Sequence, residues 1–414
     1  MIKNDRYLSA SIQELCFSRH KMAFISGPRQ AGKTTLAKYF LKMRGEGSYF
    51  NWDEKLFRKA WTKNPLGAIQ ASLTQTHDNV TPLILFDELH KVKSWKRDLK
   101  GVYDSIEAVC DILVTGSAKL NVYRRGGDSL LGRYHHFYLH PFSLAELLQL
   151  GPPVDCDSLL TSLFEGTVTS TSEAIEGIEQ LMKFGPFPDP LFSGNEKVLN
   201  VWQRERIDRL IHEDLRDLSR IQILSQIEAL VSILPERASG VLSVNSLRED
   251  LEVSFATMKR WMEYLKQVYY AFEVKPYATS LPRAIKKEGK LYLWDWSEVE
   301  DEGARFENMI ASHLLKYVHF ITDSGIANMS LHYLKNKEKQ EINCLLLKDK
   351  KPWLPIEVKL NEETASPNWG TFLKHLPCKR GLQIIKKPRV AKWVSKPEGE
   401  VLVLSAERFL SQLA

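Results

Sequence analysis

Residues 27–35 of this 414-residue chain, GPRQAGKTT, constrain the fold more than any other stretch. Its two glycines stand five positions apart, and a lysine and a threonine directly follow the second one, which is the spacing of a phosphate-binding loop. In such a loop, backbone N–H groups close around phosphate oxygens, Lys33 reaches the outer phosphates and the Thr34 hydroxyl binds Mg²⁺. We therefore expect ATP and Mg²⁺ to be bound by Gly27, Pro28, Arg29, Gln30, Ala31, Gly32, Lys33, Thr34 and Thr35.

The segments on either side of the loop match the setting that such a loop requires. Residues 21–26 are predicted to form a short apolar strand, and Leu36, Phe40 and Leu41 have the spacing of an amphipathic helix. The phosphate would then lie at the N-terminus of that helix, where unpaired N–H groups and the helix dipole favour an anion. The order strand, loop, helix predicts an α/β nucleotide-binding fold.

A second acidic site is expected where another parallel strand ends beside the loop. Residues 83–86 form a continuous apolar run, as expected for a strand covered on both faces, and two acidic residues follow it. Because α/β sheets bind ligands at the carboxyl ends of their strands, Asp87 is predicted to coordinate Mg²⁺. Glu88 is predicted to polarise the water that attacks the terminal phosphate.

Two further catalytic candidates follow along the chain. The strand-like residues 111–116 lead into Ser117, a small polar side chain that is predicted to sense the terminal phosphate. Arg133 precedes another strand-like segment and suits presentation to a nucleotide in a neighbouring subunit, a contact worth ~10³ to 10⁵ in rate. Arg124 and Arg125 are alternatives, and a surface salt bridge accounts equally well for any of the three arginines.

Composition limits the class of protein. Apolar residues make up 43% and charged residues 26% of the chain, which suits a globular protein of two to four domains. A formal net charge of +6 permits nucleic-acid contact without requiring it. The five cysteines are far apart and form no Cys-x-x-Cys pair, as expected for reduced thiols in a cytoplasmic protein. No uncharged apolar run approaches membrane-spanning length, so we expect no membrane contact.

Residues 20–150 resemble the AAA+ ATPases, in particular the bacterial and archaeal AAA-type ATPases that carry a C-terminal domain of unknown function. The matching stretches are SGPRQAGKTT, LILFDELHKV, LVTGSAKL and SLLGRYHHFYLHPFSLAE. A later stretch, KFGPFPDPLF at residues 183–192, resembles the Gly-Gly-Phe-Pro turn of that family, with Pro186 in place of one glycine. The resemblance implies a five-stranded parallel sheet with a helical lid, and a homo-oligomer in a closed or open ring.

Sequence pattern and resemblance together divide the chain into four regions. They are an ATPase core at 1–150, a helical lid and connector at 151–235, a winged helix-turn-helix at 236–297 and a nuclease-like α/β domain at 298–414. In the third region, Lys259 and Arg260 are expected on the outer face of the second helix, where they would contact DNA phosphate. The same contact is expected of four basic residues on the wing: Arg283, Lys286, Lys287 and Lys290. Winged helices also serve in protein interaction, and that alternative stays open.

The last region carries the spaced acidic residues of a nuclease core. In the stretch PIEVK, strand alternation places Glu357 and Lys359 on one face, where a carboxylate and a lysine can bind Mg²⁺ and orient a water. Together with Glu307 and Glu341, this pattern resembles the PD-(D/E)xK nucleases. The resemblance implies an acidic residue where this chain has Asn343, and an amide is a poor ligand for a hard divalent cation. We therefore predict a degenerate nuclease fold.

Three functions fit these features. The first is an ATP-hydrolysing AAA+ protein whose nucleotide state controls a DNA-binding or protein-binding C-terminal arm. The second is a DNA nuclease that is gated by ATP, and Asn343 argues against it. The third is a nucleotide-controlled scaffold for protein interaction that has no nucleic-acid ligand.

Overall fold

The computed structural model describes residues 5–73, 80–106, 110–116, 130–151, 155–166, 169–215, 224–278 and 288–414. The chain divides into two compact units, Met1–Pro141 and Phe142–Ala414. Several residues that the sequence singles out lie outside the described residues: Ser117, Arg124, Arg125, Arg283, Lys286 and Lys287.

The first unit is built on a five-stranded sheet in which all strands are parallel. The strands are Met22–Ser26 (β1), Gly47–Asn51 (β2), Leu83–Asp87 (β3), Asp111–Gly116 (β4) and Tyr134–Tyr138 (β5). Their order across the sheet is β2-β3-β4-β1-β5, so β1 lies between β4 and β5. This topology confirms the five-stranded parallel sheet that the family resemblance implies.

Helices of the first unit cover the sheet and fix the loop. Those described are Ser9–Leu15 (α1), Lys33–Arg44 (α2), Lys55–Lys63 (α3), Pro65–Leu73 (α4) and Trp95–Ile106 (α5). Helix α2 begins inside the loop at Lys33 and buries Leu36 and Phe40. Every residue of β3 is buried, which explains why its sequence is a continuous apolar run. The loop itself connects the buried strand β1 to the packed helix α2.

The second unit begins with helices. They are Leu144–Leu147 (α6), Cys156–Phe164 (α7), Ser172–Phe184 (α8), Pro188–Ser193 (α9), Glu196–Arg209 (α10) and Leu224–Ile233 (α11). These helices are tied to later parts of the same unit. The Trp296 indole N–H donates to the Leu181 carbonyl oxygen at 2.7 Å, and Arg206 pairs with Glu298 at 2.6 Å. The helices expected to form a lid and connector therefore pack within the second unit.

A helix-turn-helix follows, made by Val244–Asp250 (α12) and Phe255–Gln267 (α13). The Ser254 hydroxyl caps α13 by accepting a hydrogen bond from the Thr257 N–H at 3.1 Å. The side of α13 that packs inward consists of Met258, Trp261, Met262 and Leu265. Lys259 and Arg260 are exposed, as the apolar spacing of this helix predicts.

Two antiparallel strands, Ala271–Pro276 (β6) and Lys290–Leu293 (β7), come next and join a larger sheet. Its other strands are Met329–Lys335 (β8), Glu341–Lys348 (β9), Lys351–Lys359 (β10), Arg380–Ile385 (β11), Ala391–Lys396 (β12) and Gly399–Ser405 (β13). Their order is β12-β13-β11-β10-β9-β8-β6-β7. Because Lys275 of β6 pairs in parallel with His332 of β8, the hairpin continues the C-terminal sheet.

Helices pack against this second sheet and make the C-terminal region α/β. They are Glu302–Asp323 (α14), Asn368–His375 (α15) and Ala406–Leu410 (α16). Asp301 is the N-cap of helix α14, and its side chain accepts from the Ala304 N–H at 2.8 Å. All five cysteines of the chain are thiols without a disulfide bond. No helix in the described ranges combines the length and the apolar character that crossing a membrane requires.

Candidate nucleotide site and carboxylate cluster

The loop at residues 27–35 connects β1 to α2. Gly27 has a φ of 155°, and a Cβ there would stand 2.2 Å from the Leu139 carbonyl oxygen, so no larger residue fits. Gly32 has a φ of 97°, in the region that favours glycine. The buried Lys33 ammonium donates to the carbonyl oxygens of Gly27 at 2.9 Å and Pro28 at 2.6 Å. The two glycines thus permit a tight turn, and the lysine lies inside it.

Asp87, the last residue of β3, accepts hydrogen bonds from three hydroxyl groups. Thr34 of α2 donates to Oδ2 at 2.9 Å, and Tyr49 of β2 donates to the same oxygen at 2.9 Å. Thr115 of β4 donates to Oδ1 at 2.5 Å. A hydroxyl and a carboxylate side by side after a phosphate loop are the protein ligands that such a loop offers to Mg²⁺. These residues therefore fit the ion that the sequence predicts.

Glu88 is placed beside this pair by an unusual backbone conformation. Its φ of 59° is left-handed, and its N–H donates to the Thr115 carbonyl oxygen at 3.0 Å. The carboxylate oxygen Oε2 lies 3.6 Å from His90 Nε2 and 3.6 Å from Lys91 Nζ. Burial raises the pKa of Glu88, while the charges of Lys33 and Lys91 oppose that rise. A carboxylate with a raised pKa beside a phosphate loop is suited to accept a proton from water.

The N-terminal segment holds the loop to the residues that follow β5. The buried Arg6 guanidinium donates to the carbonyl oxygens of Ala31 and His140, both at 2.8 Å. The Tyr7 hydroxyl donates to the Tyr138 carbonyl oxygen at 2.6 Å. Sequence patterns single out neither Arg6 nor Tyr49, because both contacts depend on which strands are neighbours in the folded sheet.

Arg133 lies at the opposite end of β1 from the loop. Its carbonyl oxygen accepts from the N–H of Met22, where β1 begins, at 2.9 Å, whereas the loop follows the last residue of β1. The guanidinium donates to both carboxylate oxygens of Asp104, at 2.7 and 3.3 Å. This hydrogen bonding lowers the pKa of Asp104. Arg133 is therefore placed away from the loop of its own chain.

A second polar site lies in the C-terminal sheet, where the structure brings together the five residues of the predicted nuclease-like site and adds two from β7. We call these seven residues the carboxylate cluster: Lys290, Tyr292, Glu307, Glu341, Asn343, Glu357 and Lys359. The Asn343 amide donates to Glu307 Oε2 at 2.6 Å and accepts from the Val358 N–H at 2.9 Å. Glu357 Oε1 lies 3.4 Å from Lys359 Nζ. Burial raises the pKa of Glu357 to about 7.

The prediction that Lys290 lies on an exposed wing is wrong. Lys290 is only 3% exposed, and its ammonium pairs with Glu341 and lies 2.8 Å from Glu307 Oε1. Tyr292 donates to the same Glu307 oxygen at 2.8 Å. The physical reason is that β7 joins the C-terminal sheet and packs against α14. Strand alternation, which puts Lys290 and Tyr292 on one face, is the signal that could have found this pair.

The carboxylate cluster does not fit a divalent cation. Both oxygens of Glu307 already accept hydrogen bonds, Oε1 from Lys290 and Tyr292 and Oε2 from Asn343. The Lys290 ammonium supplies positive charge between Glu307 and Glu341. Within the part of the chain that the structure describes, no group of three or more His, Cys, Asp and Glu side chains could hold a metal ion.

Family models match three parts of the chain. Residues 19–148 match an AAA domain, and residues 302–400 match a domain of unknown function, DUF4143. The chain is an AAA-domain protein with a C-terminal domain of unknown function. Residues 175–297 match a further domain of unknown function, DUF8612. The AAA domain contains the phosphate loop, Asp87, Glu88 and Arg133, whereas the carboxylate cluster combines DUF4143 residues with Lys290 and Tyr292 of DUF8612.

Known proteins with similar sequences include two that are described as uncharacterized. Protein MJ1544 of Methanocaldococcus jannaschii is 24% identical over 362 residues, which cover 83% of this chain and 76% of that protein. Protein Rv2008c of Mycobacterium tuberculosis is 20% identical over 278 residues, which cover 67% of this chain and 55% of that protein. This chain thus spans about half the length of the mycobacterial relative.

Solved structures show a partial likeness. The Orc1 protein of Aeropyrum pernix, solved in complex with DNA, aligns at 13% identity over 73% of this chain and 91% of that chain, with a TM-score of 0.29. AMPPCP-bound DnaA of Aquifex aeolicus aligns at 14% identity over 59% of this chain and 81% of that chain, with a TM-score of 0.27. Scores of this size support no conclusion about the function of this chain.

Proposed function

We propose that the AAA domain binds ATP with Mg²⁺ and hydrolyses it. The observation that carries the proposal is the hydrogen bond of 2.9 Å between the Thr34 hydroxyl and the Asp87 carboxylate, beside the loop at 27–35. The two residues are 53 positions apart and belong to different elements, α2 and β3. Interpreting Asp87 as part of a solvated acidic loop gives no reason for this contact.

The loop and the first turn of α2 would bind the phosphates. N–H groups at a helix start have no partner within the helix, and together with Lys33 they attract an anion. Thr34 and Asp87 would hold Mg²⁺, which neutralises phosphate charge when it is bound. Tyr49 and Thr115 would keep the Asp87 carboxylate in one orientation, because they hydrogen-bond its two oxygens from two other strands.

Glu88 would orient the attacking water and accept its proton. Its backbone is fixed by the hydrogen bond to Thr115, so the carboxylate has a defined starting position. Burial raises the pKa of Glu88, and the positive charges of Lys33 and Lys91 oppose that rise. A positioned general base contributes about 10² to 10⁴ in rate.

Arg133 would serve the nucleotide of a neighbouring copy in a homo-oligomer. Its position at the far end of β1 from its own loop supports a role in trans. The exposed pair with Asp104 would exchange for phosphate at the subunit contact. Mixing Arg133→Ala with Glu88→Gln tests this role, since some mixed contacts then combine an intact Glu88 with an intact Arg133. Recovered turnover in the mixture supports the role, and no recovery contradicts it.

Nucleotide state would be coupled to the C-terminal arm. The exposed Lys259 and Arg260 on α13 support DNA phosphate as its partner, with Lys286 and Lys287 as further candidates. A protein partner is the alternative that the same exposed helix allows. DNA cleavage by the carboxylate cluster is disfavoured, because Lys290 and Asn343 occupy both oxygens of Glu307.

Steady-state ATP hydrolysis and nucleotide binding by the purified protein test the proposal. Lys33→Ala should lose both binding and turnover, whereas Glu88→Gln should retain binding and lose turnover by about 10²-fold or more. Lys42→Ala, which removes an exposed lysine from the same helix, is the matched control and should behave as wild type. Unchanged turnover in both site variants would contradict the proposal. Stimulation by double-stranded DNA would support a DNA-binding arm, and indifference would favour a protein partner.

A further inference from the structure

We infer that the Lys290 ammonium takes the place of a divalent cation in the carboxylate cluster, so that the cluster joins the β6–β7 hairpin to the C-terminal α/β domain without a metal. In the PD-(D/E)xK nucleases that this region resembles, carboxylates of this kind bind Mg²⁺. In this chain the positive charge between the carboxylates is the ammonium group of Lys290. The inference does not depend on ATP binding by the AAA domain.

Lys290 occupies the position between carboxylates that a shared cation would need. Its Nζ lies 2.8 Å from Glu307 Oε1 and also pairs with Glu341. The same Nζ lies 5.9 Å from the centre of the Tyr333 ring on β8, within the range of a cation–π contact. Glu307, Glu341 and Tyr333 therefore surround one buried positive charge.

The ammonium remains charged in this setting. Burial acts to lower the pKa of Lys290, but the charges and hydrogen bonds of Glu307 and Glu341 outweigh it and raise that pKa above its ordinary value. A buried lysine without such partners would instead lose its proton. A permanent charge at this point gives the neighbouring carboxylates the neutralisation that a metal would otherwise supply.

The position of Lys290 in the fold makes these contacts a link between elements. Lys290 begins β7, which pairs with β6 on one side and forms a single bridge with Val241 on the other. Glu307 belongs to α14 and Glu341 to β9. One side chain thus ties the hairpin that follows α13 to a helix and a strand of the C-terminal domain. Tyr292, two residues further along β7, adds a second contact to Glu307 at 2.8 Å.

The test is thermal unfolding of the full chain at pH 7.5, with and without millimolar Mn²⁺. Lys290→Met removes the charge, keeps most of the volume and leaves Glu307 and Glu341 without their shared cation. We expect this variant to melt about 10 °C below wild type without metal, because breaking a buried ion pair is costly. Mn²⁺ should restore at least half of that loss in Lys290→Met. Any effect of Mn²⁺ binding at Asp87 is common to all variants. The difference between variants in the Mn²⁺-induced change of melting temperature therefore reports on the carboxylate cluster.

Lys290→Arg, which keeps the positive charge, is the matched control and should respond to Mn²⁺ no more than wild type does. A Lys290→Met protein that has the same melting temperature as wild type in the absence of metal would overturn the inference. So would one that loses stability and is not rescued by Mn²⁺.

Calorimetric Mn²⁺ titration of wild type and Glu307→Gln keeps the inference testable even if Lys290→Met fails to fold. Glu307→Gln leaves Lys290 paired with Glu341, so its fold should be retained. Equal binding in the two proteins is the expected result, because the cluster has no metal to lose. A Mn²⁺ site present in wild type and absent from Glu307→Gln would show that the cluster holds a metal despite Lys290.

Discussion

Asp87 in the AAA domain and Glu307 in the C-terminal domain are both carboxylates that accept hydrogen bonds from three side chains. The three groups at Asp87 are hydroxyls, from Thr34, Tyr49 and Thr115. The three groups at Glu307 are the Lys290 ammonium, the Tyr292 hydroxyl and the Asn343 amide. Hydroxyls orient a carboxylate and leave its charge in place, whereas an ammonium neutralises it.

The neighbours of a carboxylate, more than the acidic residue itself, decide what the carboxylate can bind. Hard divalent cations prefer charged oxygen ligands that are free to approach them. The hydroxyl of Thr34 is itself a potential oxygen ligand, so this donor would add to the metal site that we propose at Asp87. The lysine at Glu307 competes with a metal for the same oxygen. We therefore expect the two acidic sites to differ in metal binding.

The largest expected effect comes from neutralising each carboxylate in turn. Asp87→Asn should reduce ATP turnover by about 10²-fold or more, because the variant would lack the charged ligand that we propose for Mg²⁺. Glu307→Gln, the matched change in the other domain, should leave turnover within ~2-fold of wild type. Steady-state ATP hydrolysis at saturating Mg²⁺ measures both. Equal losses of ATP turnover in the two variants would contradict the expectation that only the site at Asp87 supports hydrolysis.

A smaller effect is expected in the pH dependence of stability. The pKa of Glu357 is about 7 in the folded protein, above its ordinary value of 4.5. The folded state therefore holds a proton that the unfolded chain releases between these values, so stability falls as pH rises through this range. Glu357→Gln cannot ionise and should avoid this loss, gaining roughly 2–3 kcal/mol relative to wild type at pH 8.

Urea unfolding of wild type and Glu357→Gln at pH 4.5 and pH 8 checks this difference. The unfolding of the second unit, which contains Glu357, is followed separately from that of the first. The two proteins should be closest in stability at the lower pH. If wild type and Glu357→Gln stay parallel across the range, Glu357 titrates normally and the cluster is more open than the structure shows.

Tyr49 and Tyr292 each donate a hydrogen bond to one of the two carboxylates, and removing either hydroxyl should have a smaller effect than removing the charge. Tyr49→Phe removes one hydroxyl from Asp87 and should lower turnover by about 3- to 10-fold, with a higher Mg²⁺ requirement. Tyr292→Phe removes one hydroxyl from Glu307 and should cost about 1–2 kcal/mol of stability with turnover unchanged. Kinetics and urea unfolding of both variants check the pair. A turnover defect in Tyr292→Phe would show that the C-terminal site contributes to ATP hydrolysis.

The smallest effect concerns the surface of α13. Changing Lys259 and Arg260 together to alanine should reduce the dependence of DNA affinity on salt by a slope of about 2, if each residue neutralises one phosphate. The matched control changes Lys197 and Arg204, which are exposed on α10. Fluorescence anisotropy with a labelled duplex across a salt series measures both. An unchanged slope in the α13 variant would remove DNA phosphate as the partner of this helix.

Local patterns in the sequence predict the strand before the loop, the strand that ends at Asp87 and the acidic residues that follow it, whereas the five-stranded sheet was implied by the family resemblance. The glycine spacing fixes the turn around Lys33, and the apolar run before Asp87 identifies a strand that is buried on both faces. These features depend on short stretches of chain, so they can be found without knowing the fold. The catalytic roles given to Lys33, Asp87, Glu88 and Arg133 stay predictions.

Contacts set by strand order were beyond the reach of local patterns. Tyr49 and Thr115 meet at Asp87 only because β2 and β4 lie on either side of β3. The winged helix-turn-helix interpretation places Lys290 on an exposed wing with the basic residues before it. Its burial follows from the pairing of Lys275 with His332, which brings the hairpin into a sheet formed much later in the chain. Asn343, by contrast, was found by its departure from a known pattern.

The most direct test of the contrast between the two sites is the number of Mn²⁺ ions bound per chain in the presence of a non-hydrolysable ATP analogue. Electron paramagnetic resonance counts the bound ions in wild type, Asp87→Asn and Glu307→Gln. A single tightly bound Mn²⁺ that is lost in Asp87→Asn and kept in Glu307→Gln is the predicted result. A bound Mn²⁺ that survives Asp87→Asn and disappears in Glu307→Gln would contradict it, because the metal would then belong to the carboxylate cluster.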